Sequence, residues 1–193
     1  MKRFTRRRGM ITSTVDEFEA GLLASLTTQL IELLDDGRPE TEPTPSDDND
    51  PFALWARDLE VDPDEPELSD DPVLQRLFPN AYPHDPEASS DFRRFTGREM
   101  RDTKIELAMI VREDVLQTDQ GKVPLTVADD HVDAWLKTLT ALRLSLAARL
   151  GIDDDESADA MAALPEDDPR AFMSTIYDWL GFAQESLIGA LGE

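Results

Sequence analysis

The sequence predicts a mainly α-helical bundle with a small antiparallel β element built from the N-terminal and central parts of the chain. Three observations lead to this fold class. Four long segments repeat apolar residues at spacings of three and four, which is typical of amphipathic helices. Two short segments alternate apolar and polar residues, which is typical of strands. The 193 residues are enough to bury a sizeable core, so we expect residues 1–193 to form a single helical domain.

The composition restricts the classes of function. Lys and Arg number 19 and Asp and Glu number 42, so the formal charge is −23. Such a charge repels phosphates, and direct DNA binding is not expected. The chain has no cysteine, which excludes disulfides, zinc–thiolate sites and thiol catalysis. No apolar run approaches the roughly 20 residues that span a bilayer and no signal-peptide pattern is present, so we expect a cytoplasmic protein without membrane contact.

The first two predicted elements are a hairpin and a helix. The apolar members of the hairpin are Phe4, Met10 and Ile11. Thr14 is the expected N-cap of the helix, with Glu17 closing a capping box, and Gly37 ends it. Its predicted buried face consists of Val15, Phe18, Leu22, Leu26, Leu30 and Leu33.

Residues 38–70, here called the acidic segment, differ in composition from the rest. Fifteen acidic and two basic residues lie between Asp35 and Asp71. This charge density opposes burial, so we expect an acidic, partly disordered insertion. Within it, "DPFALWARDL" predicts a short docking helix, because Asp can cap and Pro suits the first helical position. The same pattern recurs in "DPVLQRLFP", where Asp71 is the predicted cap and the inward residues are Leu74, Leu77 and Phe78.

A second long helix is predicted to begin near Thr96, after a loop that contains "NAYPHDP". At 100° per residue its apolar face consists of Met100, Leu107, Ala108, Val111 and Val115. Lys104 falls inside this face, where a cation needs a partner or must extend to solvent. Arg98, Arg101, Ile105 and Arg112 form a neighbouring stripe.

The rest of the chain predicts a strand and two more helices. Val123 and Leu125 alternate and are expected to pair with the N-terminal strand. Thr126 is the expected cap of a long central helix with the inward set Ala128, Val132, Trp135, Leu139, Leu142, Leu146 and Leu150. Residues 153–168 are predicted to be an acidic loop. The last helix, about 170–191, is expected to bury Phe172, Ile176, Leu180, Ala183, Leu187 and Leu191.

No pattern of catalytic or metal-binding residues emerges. The histidines, His84 and His131, lie in no metal-ligand motif, and a structural or surface role is the expectation for His131. Phosphate-binding Gly-rich loops and G-x-S-x-G elbows are absent. The prediction is therefore a protein that is not an enzyme and needs no cofactor.

The sequence "FRRFTGREMRDTK", from Phe92 to Lys104, is the basic stretch. It holds five cations, Arg93, Arg94, Arg98, Arg101 and Lys104, against two acids. Three interpretations stay open: the cations pair with the protein's own acidic segment, form a solvated face, or bind an external acidic partner. Arginine suits all three because its planar fork of donors matches carboxylates.

The progression "LFPNAYPHDPEASSDFRRFTGREMRDTK", with "VPLT", "AWLKTLTALRLSLAARLGI" and "IYDWLGFAQESLIGAL", resembles an actinobacterial family of proteins of unknown function. Genes of this AosR-like family commonly neighbour that of the ClpS adaptor, and the family includes oxidative-stress response regulators. The resemblance covers nearly the whole chain except the two acidic tracts.

The resemblance implies a transcriptional regulator that acts through protein contacts with the transcription machinery, including a stress sigma factor. Because this chain lacks cysteine, the family's thiol switch cannot form in it. Arg143 matches the arginine of a family motif on the central helix, although the motif's acidic residue is absent, and we add it to the expected partner-binding set. The alternatives are a Clp-associated accessory protein of protein quality control and a structural or interaction domain. The leucine and aromatic content of the last helix also admits a homodimer.

Overall fold

The computed structural model describes residues 1–7, 9–36, 70–165 and 167–192. Within these ranges the chain forms six α-helices, a short 3-10 helix and a three-stranded antiparallel sheet of order β1-β2-β3, which agrees with the predicted fold class. The elements are β1 Thr5–Arg7, β2 Met10–Ser13, α1 Glu17–Asp36, α2 Pro72–Leu77, α3 Pro86–Leu116, β3 Leu125–Val127, a 3-10 turn Asp129–His131, α4 Val132–Leu150, α5 Asp155–Ala162 and α6 Ala171–Leu191. Apart from Asp70, the acidic segment and its predicted short helix lie outside the described residues.

The sheet joins the start of the chain to its centre, as predicted. Strand β2 pairs with β1 on one side and with β3 on the other, where Ile11 lies opposite Val127. Alternation along β2 turns Ile11 into the core and leaves Met10 exposed, so only one of these two predicted core residues is buried. Thr126 lies within β3, opposite Thr12, and is not a helix cap.

Helix α1 begins two residues later than its predicted capping box. The Asp16 and Glu19 side chains each accept a hydrogen bond from the other residue's N–H, both at 2.9 Å, so they form the box assigned to Thr14 and Glu17. The buried face is Ala20, Leu23, Thr27, Leu30 and Leu34. Val15 and Leu30 are buried as predicted, whereas Phe18 is 64% exposed. The other predicted residues, Leu22, Leu26 and Leu33, are half-buried.

Helix α2 confirms its predicted cap. The Asp71 carboxylate accepts a hydrogen bond from the Val73 N–H at 2.7 Å, and Pro72 occupies the first helical position. Leu74 and Leu77 are buried as predicted, whereas Phe78 is half-buried.

Helix α3 begins ten residues before its predicted start. The Asp85 carboxylate caps it by accepting from the Ala88 N–H at 3.0 Å, and Pro86 follows directly. The Asp-Pro signal is the same as at the start of α2. The buried residues are Ser89, Ile105, Ala108, Val111, Asp114 and Val115, so Ile105 belongs to the core stripe while Met100 is exposed and Leu107 is half-buried.

Helix α4 is the centre of the bundle and packs against α2, α3 and α6. Its buried residues are Ala134, Trp135, Thr138, Leu139, Ala141, Leu142, Ala147 and Leu150. Of the predicted inward set, Ala128 precedes the helix and is exposed, and Val132 and Leu146 are half-buried.

The predicted acidic loop at 153–168 contains a helix, α5. The Asp154 carboxylate accepts from the Ser157 N–H and the Ser157 hydroxyl oxygen accepts from the Asp154 N–H, so a complete capping box starts it. In α6 the predicted core residues Ile176, Leu180, Ala183 and Leu187 are buried. Its end residues Phe172 and Leu191 are exposed, because they lie beyond the helices that cover the middle of α6.

Candidate functional site

The first half of α3 contributes almost nothing to the buried core. No residue from 90 to 104 is buried, although these residues are helical throughout. From Ile105 onward the helix buries a regular stripe against α1 and α4. The basic stretch therefore occupies a helical arm rather than the loop-to-helix junction that the sequence predicts.

Aromatic side chains lie among the cations of this arm. The rings of Tyr82 and Phe92 meet edge to face with centroids 6.1 Å apart, and Tyr82 is 50% exposed. Phe95 is 70% exposed, and the Arg94 guanidinium lies 5.7 Å from the centre of its ring. With the exposed Arg98 one turn further along, these five residues form what we call the arginine–aromatic surface.

Hydrogen bonds hold the loop before α3 against the arm. Ser89 Oγ donates to the Tyr82 carbonyl at 2.7 Å and accepts from the Tyr82 N–H at 3.1 Å. The Arg93 guanidinium donates to the Asn80 side-chain oxygen at 2.6 Å. Arg93 therefore connects the arm to the loop before α3.

Two further cations of the basic stretch are engaged with the chain's own Phe78. The Arg101 guanidinium lies 5.4 Å and the Lys104 ammonium 5.6 Å from the centre of this ring, so both are placed for cation–π attraction. Burial lowers the pKa of Lys104, and the nearby charge of Lys137 lowers it further. Arg101 and Lys104 thus connect the arm to the end of α2 and lie off the surface that carries Phe95.

Arg143 lies in a separate cleft of about 400 Å³ between α4, α5 and α6. Its guanidinium lies 5.1 Å from the centre of the Tyr177 ring and donates to the Gln184 side-chain oxygen at 2.9 Å. Gln184 in turn donates to the Thr140 hydroxyl at 2.7 Å. Asp153, Asp154 and Asp155 line the same cleft together with Arg76, so its charge is mixed rather than basic.

The structure thus divides the six predicted partner-binding residues into three groups. Arg94 and Arg98 lie together on the exposed arm, Arg93, Arg101 and Lys104 contact the chain's own side chains, and Arg143 lies in the other cleft. Sequence reasoning missed Tyr82 and Phe95. For Phe95 the signal was present, because it lies among the arginines of the basic stretch, whereas Tyr82 lies in the preceding loop.

Among the described residues, the buried carboxylate of Asp114 makes structural contacts. Asp114 is 6% exposed and accepts from the Trp135 Nε1–H at 2.8 Å, and His131 Nδ1 lies 3.0 Å from both of its oxygens. His131 therefore has the structural role expected from the sequence. Among the residues that the structure describes, no three acidic or histidine side chains are grouped so that they could hold a metal ion. Nor does any helix in these ranges have the length and apolarity needed to cross a membrane.

Comparison with known proteins gives one match. A family profile described as "Domain of unknown function (DUF2017)" matches residues 1–191. No curated protein and no solved structure matches the chain.

Proposed function

This chain belongs to the DUF2017 family, and we propose that it is a cytoplasmic regulatory protein that binds an acidic protein partner through the arginine–aromatic surface of α3. The resemblance to AosR-like regulators favours the transcription machinery with a stress sigma factor as that partner. The observation that carries the proposal is the exposed arm itself. A helix that leaves Phe95 70% exposed beside two arginines has the chemistry of a binding surface.

Protein interfaces are enriched in aromatic residues and arginine, and these residues supply most of their hot spots. The same side chains are costly to leave on a free surface, since a large exposed apolar ring gains from being covered. Arg94 and Arg98 would pair with carboxylates of the partner, while the Phe95 and Tyr82 rings supply the apolar contact.

The overall charge of −23 restricts how an acidic partner can bind this protein. An acidic protein repels other acidic proteins at long range, so binding requires a local basic surface with close contacts. The arm provides such a surface on α3, where the cations lie beside exposed aromatic rings.

The test is a binding measurement with purified RNA polymerase, with and without the stress sigma factor, and with ClpS and its protease. Phe95→Ala should weaken binding to the transcription machinery about thirtyfold, which is about 2 kcal/mol, the scale of an aromatic hot spot. Arg98→Glu should weaken it at least as much, because it places an acid against an acidic partner. Neither residue is buried, so the melting temperatures should not change.

Lys122→Glu is the matched control. Lys122 is equally exposed, pairs with Asp119 at 3.1 Å and lies outside the arm, yet the substitution changes the net charge by the same amount as Arg98→Glu. If both reversals weaken binding equally, the effect is one of overall charge and the surface has no specific role. Binding to ClpS alone would instead favour the quality-control alternative.

A second variant addresses the protein's own acidic segment. We change the acidic residues of 38–69 to Asn and Gln and measure both stability and partner binding. Retained or tighter partner binding with little change in stability supports the proposal. A large loss of stability together with unchanged partner binding would show that the basic stretch serves mainly to pair with this segment.

A further inference from the structure

A second groove, distinct from the arginine–aromatic surface, lies between α3 and α4. It encloses about 500 Å³, which is within the range of small-molecule sites. Its apolar lining comes from three helices and consists of Leu30, Met100, Leu107, Leu136, Ala141 and Leu144. We call it the lysine groove, because two lysines also line it.

The two lysines come from opposite walls. Lys104 projects from α3 and is half-buried, and Lys137 projects from α4. Lys137 pairs with Asp133 at 2.8 Å at the exposed rim. Burial lowers the pKa of Lys104, and the positive charge of Lys137 lowers it further, so the two cations repel each other. An anion seated between them would be attracted by both.

The other polar side chains that line the groove do not place a negative charge between the two lysines. Glu99 lines the groove from α3, but it precedes Lys104 by five residues, or about 7.5 Å along the helix axis. Thr138 is 2% exposed, and its hydroxyl has no hydrogen-bond partner within the described part of the chain. The six apolar residues make up most of the rest of the lining, which suits an apolar group.

We propose that the lysine groove binds an amphipathic monoanion of the long-chain carboxylate class. The carboxylate lies between Lys104 and Lys137, and the hydrocarbon tail lies along the leucine-rich lining. The enclosed volume suits a single acyl chain. A helix of a partner protein is about 10–12 Å across with its side chains, and it would cover the mouth without filling the groove.

The probe is dodecanoate, titrated into the full-length protein by calorimetry below its micelle concentration. Saturable binding of one equivalent is expected. Lengthening the tail should tighten binding about fourfold per added CH₂ until the groove is full. Dodecanol, which lacks the charge, should bind at least tenfold more weakly, and dodecyltrimethylammonium should not bind in the groove.

Lys137→Glu should weaken dodecanoate binding at least tenfold, because it replaces attraction by repulsion at the rim. Lys122→Glu is its matched control, since both lysines are exposed and each pairs with an aspartate on its own segment. Lys104→Gln, which removes the inner charge, should weaken binding while leaving the apolar lining in place. Melting curves of each variant show whether it is folded.

Three results would overturn the proposal. They are the lack of saturable binding by dodecanoate, equal binding of the cationic analogue, and Lys137→Glu binding that matches the Lys122→Glu control. Tight binding of a peptide helix with no binding of dodecanoate would assign the groove to a protein partner instead.

Discussion

Trp135 shows how one side chain connects several parts of this bundle. Its ring is fully buried, meets the Phe4 ring edge to face at 5.9 Å and donates to Asp114 at 2.8 Å. Trp135→Ala should lower the free energy of unfolding by about 3–5 kcal/mol, because it opens a large cavity. Chemical denaturation measures the loss. An unchanged midpoint would mean that α4 is not the centre of the fold.

The hydrogen bond of this indole can be separated from its packing. Trp135→Phe keeps an aromatic ring but leaves one oxygen of the buried Asp114 carboxylate without its donor. We expect this lost hydrogen bond to lower the free energy of unfolding by about 1–3 kcal/mol, in addition to the loss from the smaller ring. Trp179→Phe is the comparison, since the Trp179 indole N–H is buried without a partner among the described residues. It should cost less than about 1 kcal/mol, because no hydrogen bond is lost. Equal costs would show that the Asp114 contact contributes nothing.

Asp71 makes a residue-scale prediction about pH. Burial alone would raise the pKa of this carboxyl, but hydrogen bonds from the Val73 N–H and from Arg149, the latter at 2.8 Å, lower it overall. Its contribution to stability is therefore present in full above the unfolded pKa of about 3.9 and is lost as the pH falls through the lower folded value.

Two substitutions separate the contribution of the charge of Asp71 from that of its helix cap. Asp71→Asn keeps a capping side chain and removes the charge, so it should cost about 0.2–1 kcal/mol at neutral pH. Asp71→Ala also removes the cap and should cost about 1 kcal/mol more. Thermal unfolding near pH 7 and near pH 3 provides the check, and the difference between wild type and Asp71→Asn should shrink at the lower pH. A difference that grows on acidification would contradict the assigned sign.

At the scale of elements, two turns with glycine in the left-handed region give a matched pair. Gly9 has φ +80 and open space where a Cβ would lie, whereas Gly121 has φ +82 and would place a Cβ 2.7 Å from the Asp16 backbone carbon. Gly9→Ala should cost about 1–2 kcal/mol from conformation alone. Gly121→Ala should cost clearly more, because the backbone before α1 must also move. Melting temperatures rank the two, and the reverse order would show that the contact relaxes freely.

The elements also show what the sequence could predict. The long helices and the strand in the centre of the chain could be predicted from the spacing of apolar residues. An element that buries one face repeats apolar residues along that face. The face of α1 was only partly predicted, because Ala20 and Thr27 are buried in it while Phe18, its largest apolar residue, is exposed. The start of α3 was predicted too late, because its first half buries almost nothing and carries no apolar stripe.

The candidate site was predictable only in part, for a related reason. The sequence located the cations, but which of them face outward depends on Phe78, which reaches the arm from another helix. Arg101 and Lys104 are engaged there, and Arg94 and Arg98 remain with Phe95. A contact between separate helices leaves no periodic signal in either one, so local pattern could not assign these roles.

At the scale of the whole molecule, charge governs what the protein meets. We expect no specific binding to duplex DNA at about 150 mM salt, because the arm must act against a net charge of −23 and phosphate contacts weaken steeply with salt. Fluorescence anisotropy with a labelled duplex tests this. Tight, sequence-specific binding would show that the arm reads nucleic acid and would overturn the acidic-partner proposal.

The lack of cysteine makes another whole-molecule prediction. Peroxide or diamide should leave the mobility on non-reducing gels unchanged, since no disulfide can form. Met100 and Met109 are exposed on α3 and offer a different route, oxidation to the sulfoxide. If peroxide alters partner binding and methionine sulfoxide reductase restores it, redox control acts through these thioethers. No effect on binding would leave the protein without a redox response of its own.

The three-stranded sheet has a consequence for how the protein is made. Strands β1 and β2 leave the ribosome early as a lone hairpin, which is marginally stable in water. Their partner β3 is far along the chain, and α6, which packs beside β1, is made after β3. One edge of β2 in the nascent hairpin therefore stays unpaired until β3 has been synthesised. Its completion depends on a distant contact, which makes sheet closure a natural slow step in folding.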